Sequence, residues 1–308
     1  MSTPARPGVL AIAALLTVPF FFASNSILGR ATVDTVGPWT LAFLRWSLAG
    51  LMLLPLVWRA IAADGRALLA RAPLFLALGF LGMIVSGGLF YTALRYTTAT
   101  NASLLYTTSP LIILLLERIF RGRPIAWREV AGMLVASAGV AVIVTGGTLA
   151  TLATMSFNPG DLLVVCCAAS WAGYTVILRR RELAGLPVPV VFTAAALAGA
   201  LLLAPFMAAE TAASGRFPST PAEWGAILGL ALIASICAFL AYQFAVQKVG
   251  PSITGLTLYG MPIAGVGLAM LLLGERPGPA IFAGSALILG GVALATLPRD
   301  LLGRLVGR

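Results

Sequence analysis

The stretch Ala93 to Gly139, ALRYTTATNASLLYTTSPLIILLLERIFRGRPIAWREVAGMLVASAG, is written a second time from Ala245 to Gly291, AVQKVGPSITGLTLYGMPIAGVGLAMLLLGERPGPAIFAGSALILGG. A shift of 152 brings Ala93 onto Ala245, Pro110 onto Pro262, Gly122 onto Gly274, Gly132 onto Gly284 and Gly139 onto Gly291, with no gap. Each match is a helix breaker or a small residue, the types that fix backbone geometry. Proline is rarer in the chain than glycine or alanine, so the Pro110/Pro262 register carries most of the weight. The chain reads as two structural copies.

Working outward, the composition says what kind of copies they are. Of 308 residues, 60% are hydrophobic and 10% charged, and the mean hydropathy is +1.00. A soluble domain carries about 25% charged residues. This chain has too little charge to cover a water-facing surface and reads as an integral membrane protein. Its net charge of +10 does not point to nucleic acid, because the basic residues sit in short gaps between apolar runs. There is no histidine, which removes the usual proton shuttle and the commonest metal ligand, so neither metal nor cofactor is expected. Cys166 and Cys167 read as packed thiols, and Cys237 also lies in an apolar run. The apolar run from Val9 reads as an uncleaved first span, since bulky Phe21 spoils a cleavage pattern before Ser24.

A span needs about 20 mostly apolar residues. Ten are predicted, near 9–29, 39–58, 73–94, 100–119, 127–146, 161–178, 188–209, 224–246, 252–273 and 279–297. With a cytoplasmic N-terminus, fifteen basic residues fall on inside segments and four on outside ones. This bias puts both termini of a multi-pass membrane protein in the cytoplasm. Five spans is an odd number, so the second set must enter the bilayer from the opposite side. The expected architecture is an all-α integral membrane protein, with ten transmembrane helices as two inverted five-helix repeats around a central cavity. Residues 1–146 form the first repeat, 147–160 an external linker, and 161–308 the second repeat with a short tail. The earlier spans agree at a shift of 149, which puts Pro38 on Pro187, Gly50 on Gly199 and Asn25 on Tyr174.

Pro110 and Pro262 fall mid-span and are the candidate hinges. Each frees the carbonyl four residues earlier, at Tyr106 and Leu258, with Thr107, Thr108, Ser109 and Thr257 placed to satisfy it. Buried amides and phenols must find partners, and here they gather in spans one, three, four, six, eight and nine. The candidate substrate-binding residues are Asn25, Ser26, Tyr91, Asn101, Tyr106, Trp171, Tyr174, Tyr242, Gln243 and Tyr259. Spans two, five, seven and ten are more uniformly apolar and read as lipid-facing supports, with small residues such as Gly132 and Gly291 packing five against ten. Arg45 is the one charge deep in a span. It could meet a substrate carboxylate, snorkel, or bond helix carbonyls. Glu117, beside Arg118 and Arg121, and Asp161 read as span-end groups, so no proton relay is offered. A lumen of rings, amides and hydroxyls suits a small neutral or zwitterionic solute, not a phosphate ester, which would call for several buried cations.

Three further stretches carry a resemblance: Phe22-Ala-Ser-Asn25-Ser-Ile27; Asn101-Ala-Ser103 with Ser109-Pro110; and Leu271-Leu-Leu-Gly-Glu275. On these the chain resembles the drug/metabolite transporter superfamily with EamA-type repeats. The first copy departs from the apolar–Gly–Glu ending, having Arg121-Gly122-Arg123. The likeness is to bacterial exporters of aromatic amino acids. It implies secondary export of amino acids and related metabolites by alternating access, with halves bending at spans three, four, eight and nine. The expected partners are a small-molecule substrate and membrane lipid, with no nucleic acid, and the expected unit is a monomer. The other readings are an exporter of unrelated drugs or metabolites, a non-transporting scaffold, and an intramembrane enzyme. The last lacks a base, a nucleophile pair or a metal site in the sequence.

Overall fold

In the computed structural model, residues 8–148, 150, 158–273 and 278–296 are described. Among them every regular element is helical. The helices are α1 (Val9–Val36), α2 (Pro38–Ala70), α3 (Ala72–Ala93), α4 (99–121), α5 (Trp127–Val144), α6 (Pro159–Ile177), α7 (Val188–Ser214), α8 (Pro221–Val249), α9 (251–273) and α10 (Pro279–Thr296). Helices α2 to α8 and α10 are long and apolar enough to cross a membrane, and α1 contributes a shorter apolar stretch, Val9–Asn25. Large apolar side chains such as Leu56, Leu201 and Leu271 point outward on the bundle, 77%, 69% and 82% exposed. Water would penalise that surface and hydrocarbon does not, so the chain is an integral membrane protein.

Local signals start and stop these helices. Gly37, at φ 91°, turns the chain before Pro38 occupies the first turn of α2. Asn158 and Thr220 each cap a helix that begins with proline, reciprocally with Asp161 and Glu223. Gly122, at φ 64°, closes α4. Several helices outrun the sequence reading. Helix α1 continues to Val36, and α2 continues past a kink at Asp64 to Ala70. Both extensions are polar stretches, which a span-length rule cuts off.

The packing is paired. Helix α2 lies along α7, with Gly50 facing the Leu197 side chain, and α5 lies along α10. There a Cβ on Gly139 would come within 2.6 Å of the Gly284 carbonyl. Gly132 and Ala136 meet Gly291 in the same seam, as the small-residue pattern predicts, whereas Gly290 faces open space. Helix α1 packs on α8 and α9, and α6 packs on α3 and α4. Helices α3 and α8 both widen to π-winding, at Phe80–Leu89 and Leu230–Cys237. Helices α4 and α9 both break, α4 at the turn Thr107–Thr108 and α9 at a 3₁₀ turn, Leu256–Gly260.

The breaks precede the two prolines, which makes each the second residue of the helix that follows. The hydroxyls do not go where the sequence places them. Thr107 Oγ1 donates to the Leu104 carbonyl and Thr108 Oγ1 to that of Leu105, each at 2.6 Å, while Ser109 Oγ donates to Ala168 at 2.9 Å. The Leu258 carbonyl accepts from the Met261 amide and Thr257 Oγ1 donates to Thr254, so the 3₁₀ turn satisfies α9 itself. Proline in a first turn costs no hydrogen bond, which is why the freed-carbonyl expectation fails at these positions.

Candidate functional site

A hollow of about 390 Å³ lies inside the bundle, lined from α1, α2, α3, α4, α5, α6, α8 and α9. The lining corrects the expectation that α2 and α5 only support. Helix α2 supplies Arg45 and Trp46, and α5 supplies Ile143 and Val144. Aromatic rings dominate one wall. Phe22 meets Trp171 edge-on at 5.4 Å and Phe239 at 5.6 Å, and Phe90 meets Tyr106 at 5.5 Å. Such offset and edge contacts hold rings in fixed orientations, which presents a firm apolar face to the cavity.

The predicted residues separate into groups. Asn25, Tyr106 and Trp171 line the hollow, and so does the hinge candidate Pro262. Tyr174, Tyr242 and Gln243 lie behind the ring wall, all buried. Trp171 stacks on Tyr174 at 5.2 Å, Gln243 Nε2 donates to Tyr174 Oη at 2.8 Å, and the Tyr242 and Thr175 hydroxyls bond at 2.9 Å. Tyr91 lies beside Asn25, to which its hydroxyl donates at 2.6 Å. Two residues stand apart. Asn101 bonds both oxygens of Asp161 at 3.2 Å, near the start of α6. Tyr259 packs in the α5–α10 cluster, where its nearest polar partner is Ser137 at 3.4 Å. The side chain of Ser26 lies outside the described residues, as does Glu275. Pro110 touches α9 near Gly255 and does not line the hollow.

For Arg45 the structure bears out one of the three sequence readings, a bond to a helix carbonyl, and rules out another. It does not snorkel but is 3% exposed and lines the hollow. Its Nε donates to Ser235 Oγ at 2.6 Å, Nη1 to Asn25 Oδ1 at 2.6 Å and to Tyr91 Oη at 2.9 Å, and Nη2 to the Ala234 carbonyl at 2.8 Å. The guanidinium also stands 4.4 Å from the Trp46 ring centroid. All these partners are neutral, and among the described residues Arg45 makes no ion pair. Ala234 and Ser235 lie in the π-wound part of α8, where the looser i→i+5 winding turns a carbonyl off the helix axis. Taking a cation out of water without a counter-ion costs several kcal/mol even when its N–H groups are bonded. An arginine in an apolar run was visible in the sequence. The phenylalanines of the ring wall were not, because a cavity-facing Phe and a lipid-facing Phe read alike.

The carboxylates also differ from expectation. Glu117 is buried, and although Arg121 stands 4.0 Å away, its close partners are the Ser252 hydroxyl and amide on α9. Asp161 is buried too, held by Thr97, Asn101 and the Asn158 amide. Cys167 is the packed thiol, donating to the Val85 carbonyl at 3.0 Å, while Cys166 and Cys237 face outward. Among the described residues no cluster of ligating side chains could hold a metal.

Apolar helices wrapped around a ring-walled hollow are the build of a solute carrier of the membrane. Known proteins agree. The sequence pattern of the EamA-like transporter family matches residues 9–145 and 158–297. The chain is 30% identical over 209 residues to a probable terminal-alkyne amino-acid exporter of Streptantibioticus cattleyicolor, covering 68% of this chain and 67% of that protein. It is 27% identical over 217 residues to the aromatic amino acid exporter YddG of Ancylobacter novellus, covering 68% and 74%. A chain of known crystal structure overlays with a TM-score of 0.73 at 25% identity, over 97% of this chain and 98% of that one. The chain belongs to the EamA-like transporter family.

Proposed function

We propose that this transporter exports amino acids, aromatic or otherwise apolar ones, together with related small metabolites. It works by alternating access between two inverted five-helix halves of the inner membrane, with both termini in the cytoplasm. The observation that carries the reading is the hollow itself, with aromatic walls and, among the described residues, one buried cation. Rings bind an apolar side chain, and one cation matches one carboxylate. A phosphate ester would need more positive charge. Exporters of amino acids among the relatives support the same substrate class. The inverted relation is supported by the exchange of partners, α1 with α8 and α9 against α6 with α3 and α4. The paired π segments and the paired breaks ahead of Pro110 and Pro262 support it too, and supply two matched places to bend.

The test is transport by the purified protein in liposomes, against a panel of amino acids, with and without a pH gradient. Apolar amino acids should move, and Trp171→Ala should lower the rate roughly tenfold by removing a ring contact of about 1.5 kcal/mol, and should lower the melting temperature as well, because the buried ring packs on Phe22, Tyr174, Phe239 and Tyr242. Flux restricted to solutes that are not amino acids would leave an exporter of other metabolites on this fold. Cysteines introduced near residues 20 and 170 should report opposite orientations of the two halves, and equal orientation would remove the inverted architecture.

A further inference from the structure

We propose that Arg45 is the anion subsite of the hollow and takes the carboxylate of the transported solute. The inference rests on the amino-acid reading above and makes it specific, since it names which end of the molecule is fixed and by what. A guanidinium has five N–H donors. Ser235, Asn25, Tyr91 and Ala234 take four of them, which leaves one Nη2 N–H. The hydrogen bonds set the orientation of the group without cancelling its charge, and Asn25 and Arg45 both line the hollow.

An arginine tied to α1, α3 and α8 at once is not a surface charge folded in by chance. Its partners are all neutral, so the positive field is left to reach into the cavity, where low polarity strengthens it. A monovalent anion is the chemistry that completes the site. Inorganic halide and a substrate carboxylate share that chemistry. The rings of Phe22, Phe90 and Trp171 beside the cation favour an anion that carries an apolar body.

The experiment uses purified full-length protein and four probes: phenylalanine, phenylalaninamide, 3-phenylpropionate and 3-phenylpropanol. Stabilisation against heat reads binding, and competition against labelled phenylalanine in liposomes reads transport. Wild type should prefer each carboxylate over its uncharged-end analogue by roughly 10- to 100-fold, as expected where a site's buried polar group is left unpaired by the wrong ligand. Arg45→Gln should bring the ratio to about one, and Arg45→Lys should fall between, since it keeps the charge and loses the fork.

Should Arg45→Gln fail to fold, Asn25→Asp answers the same question. It keeps the oxygen that accepts from Arg45 and Tyr91 and gives Arg45 a built-in counter-ion, so the carboxylate preference should vanish in a folded protein. Equal binding of carboxylate and alcohol by wild type, or an unchanged ratio in both variants, overturns the subsite. Stabilisation by chloride that needs Arg45, with none from 3-phenylpropionate, overturns it in favour of a halide site. If 3-phenylpropionate binds through Arg45 but no amino acid is carried, the subsite stands and the amino-acid reading falls.

Discussion

The two halves each contain a phenol bonded to an amide, and the two pairs differ in what they serve. In the first half Tyr91 donates to Asn25 at 2.6 Å, and in the second Gln243 donates to Tyr174 at 2.8 Å. The sequence shift of 149 puts Asn25 on Tyr174, and the shift of 152 puts Tyr91 on Gln243, so the same bond recurs with the two chemical groups exchanged. The first pair holds a cation at the cavity wall. The second is sealed behind Trp171, and Gln243 Oε1 has no hydrogen-bond partner among the described residues. The shift that aligns these helices puts Arg45 on Ala194. The two pairs therefore share a contact geometry, while Arg45 stands beside the first alone. Under the proposed function a solute would meet a polar end and an apolar end, not two equivalent walls.

Substitutions can break the comparison on one side at a time. Asn25→Ala should have the largest effect. It removes a charge-assisted acceptor and leaves Tyr91 without its own, about 2 to 4 kcal/mol in all. Transport by reconstituted protein should drop by about two orders of magnitude. Tyr91→Phe keeps the ring and removes one of the Arg45 acceptors. It should raise the half-saturating concentration roughly tenfold, about 1.4 kcal/mol, with little change in melting temperature. The double change Tyr174→Phe with Gln243→Met should have the smallest effect, since it removes both partners and an unpaired buried oxygen together. Unfolding in denaturant should place it within about 1 kcal/mol of wild type, with flux retained. Loss of transport in that double variant would mean that the second pair works as the first does.

What the sequence makes legible follows from what membranes constrain. The small-residue seam of α5 with α10 and the polar convergence on a hollow are written in residue types that hydrocarbon makes costly or geometry makes necessary. Asn25, Tyr106 and Trp171 were found that way. Tyr259 and Asn101 were misgrouped because a polar group in a span announces that it has a partner, not where the partner is. Arg45 was visible as an oddity, but its four partners come from three other helices, and no local pattern records that. The hinge carbonyls were misplaced because a proline in mid-span looks the same whether it interrupts a helix or begins one.

The loosened winding at Leu230–Cys237 has a consequence for how such a carrier can change its preferences. An ordinary helix turns about 100° per residue, so losing one residue inside a span normally spins everything beyond it out of register. A stretch already carrying an extra residue in its turn can give that residue up and return to standard winding. Shortening α8 by one residue there would leave the span intact yet swing Ala234 and Ser235 away from the guanidinium. Selectivity could then be rewritten by a deletion within the bilayer, where deletions are otherwise ruinous, with every loop left as it was.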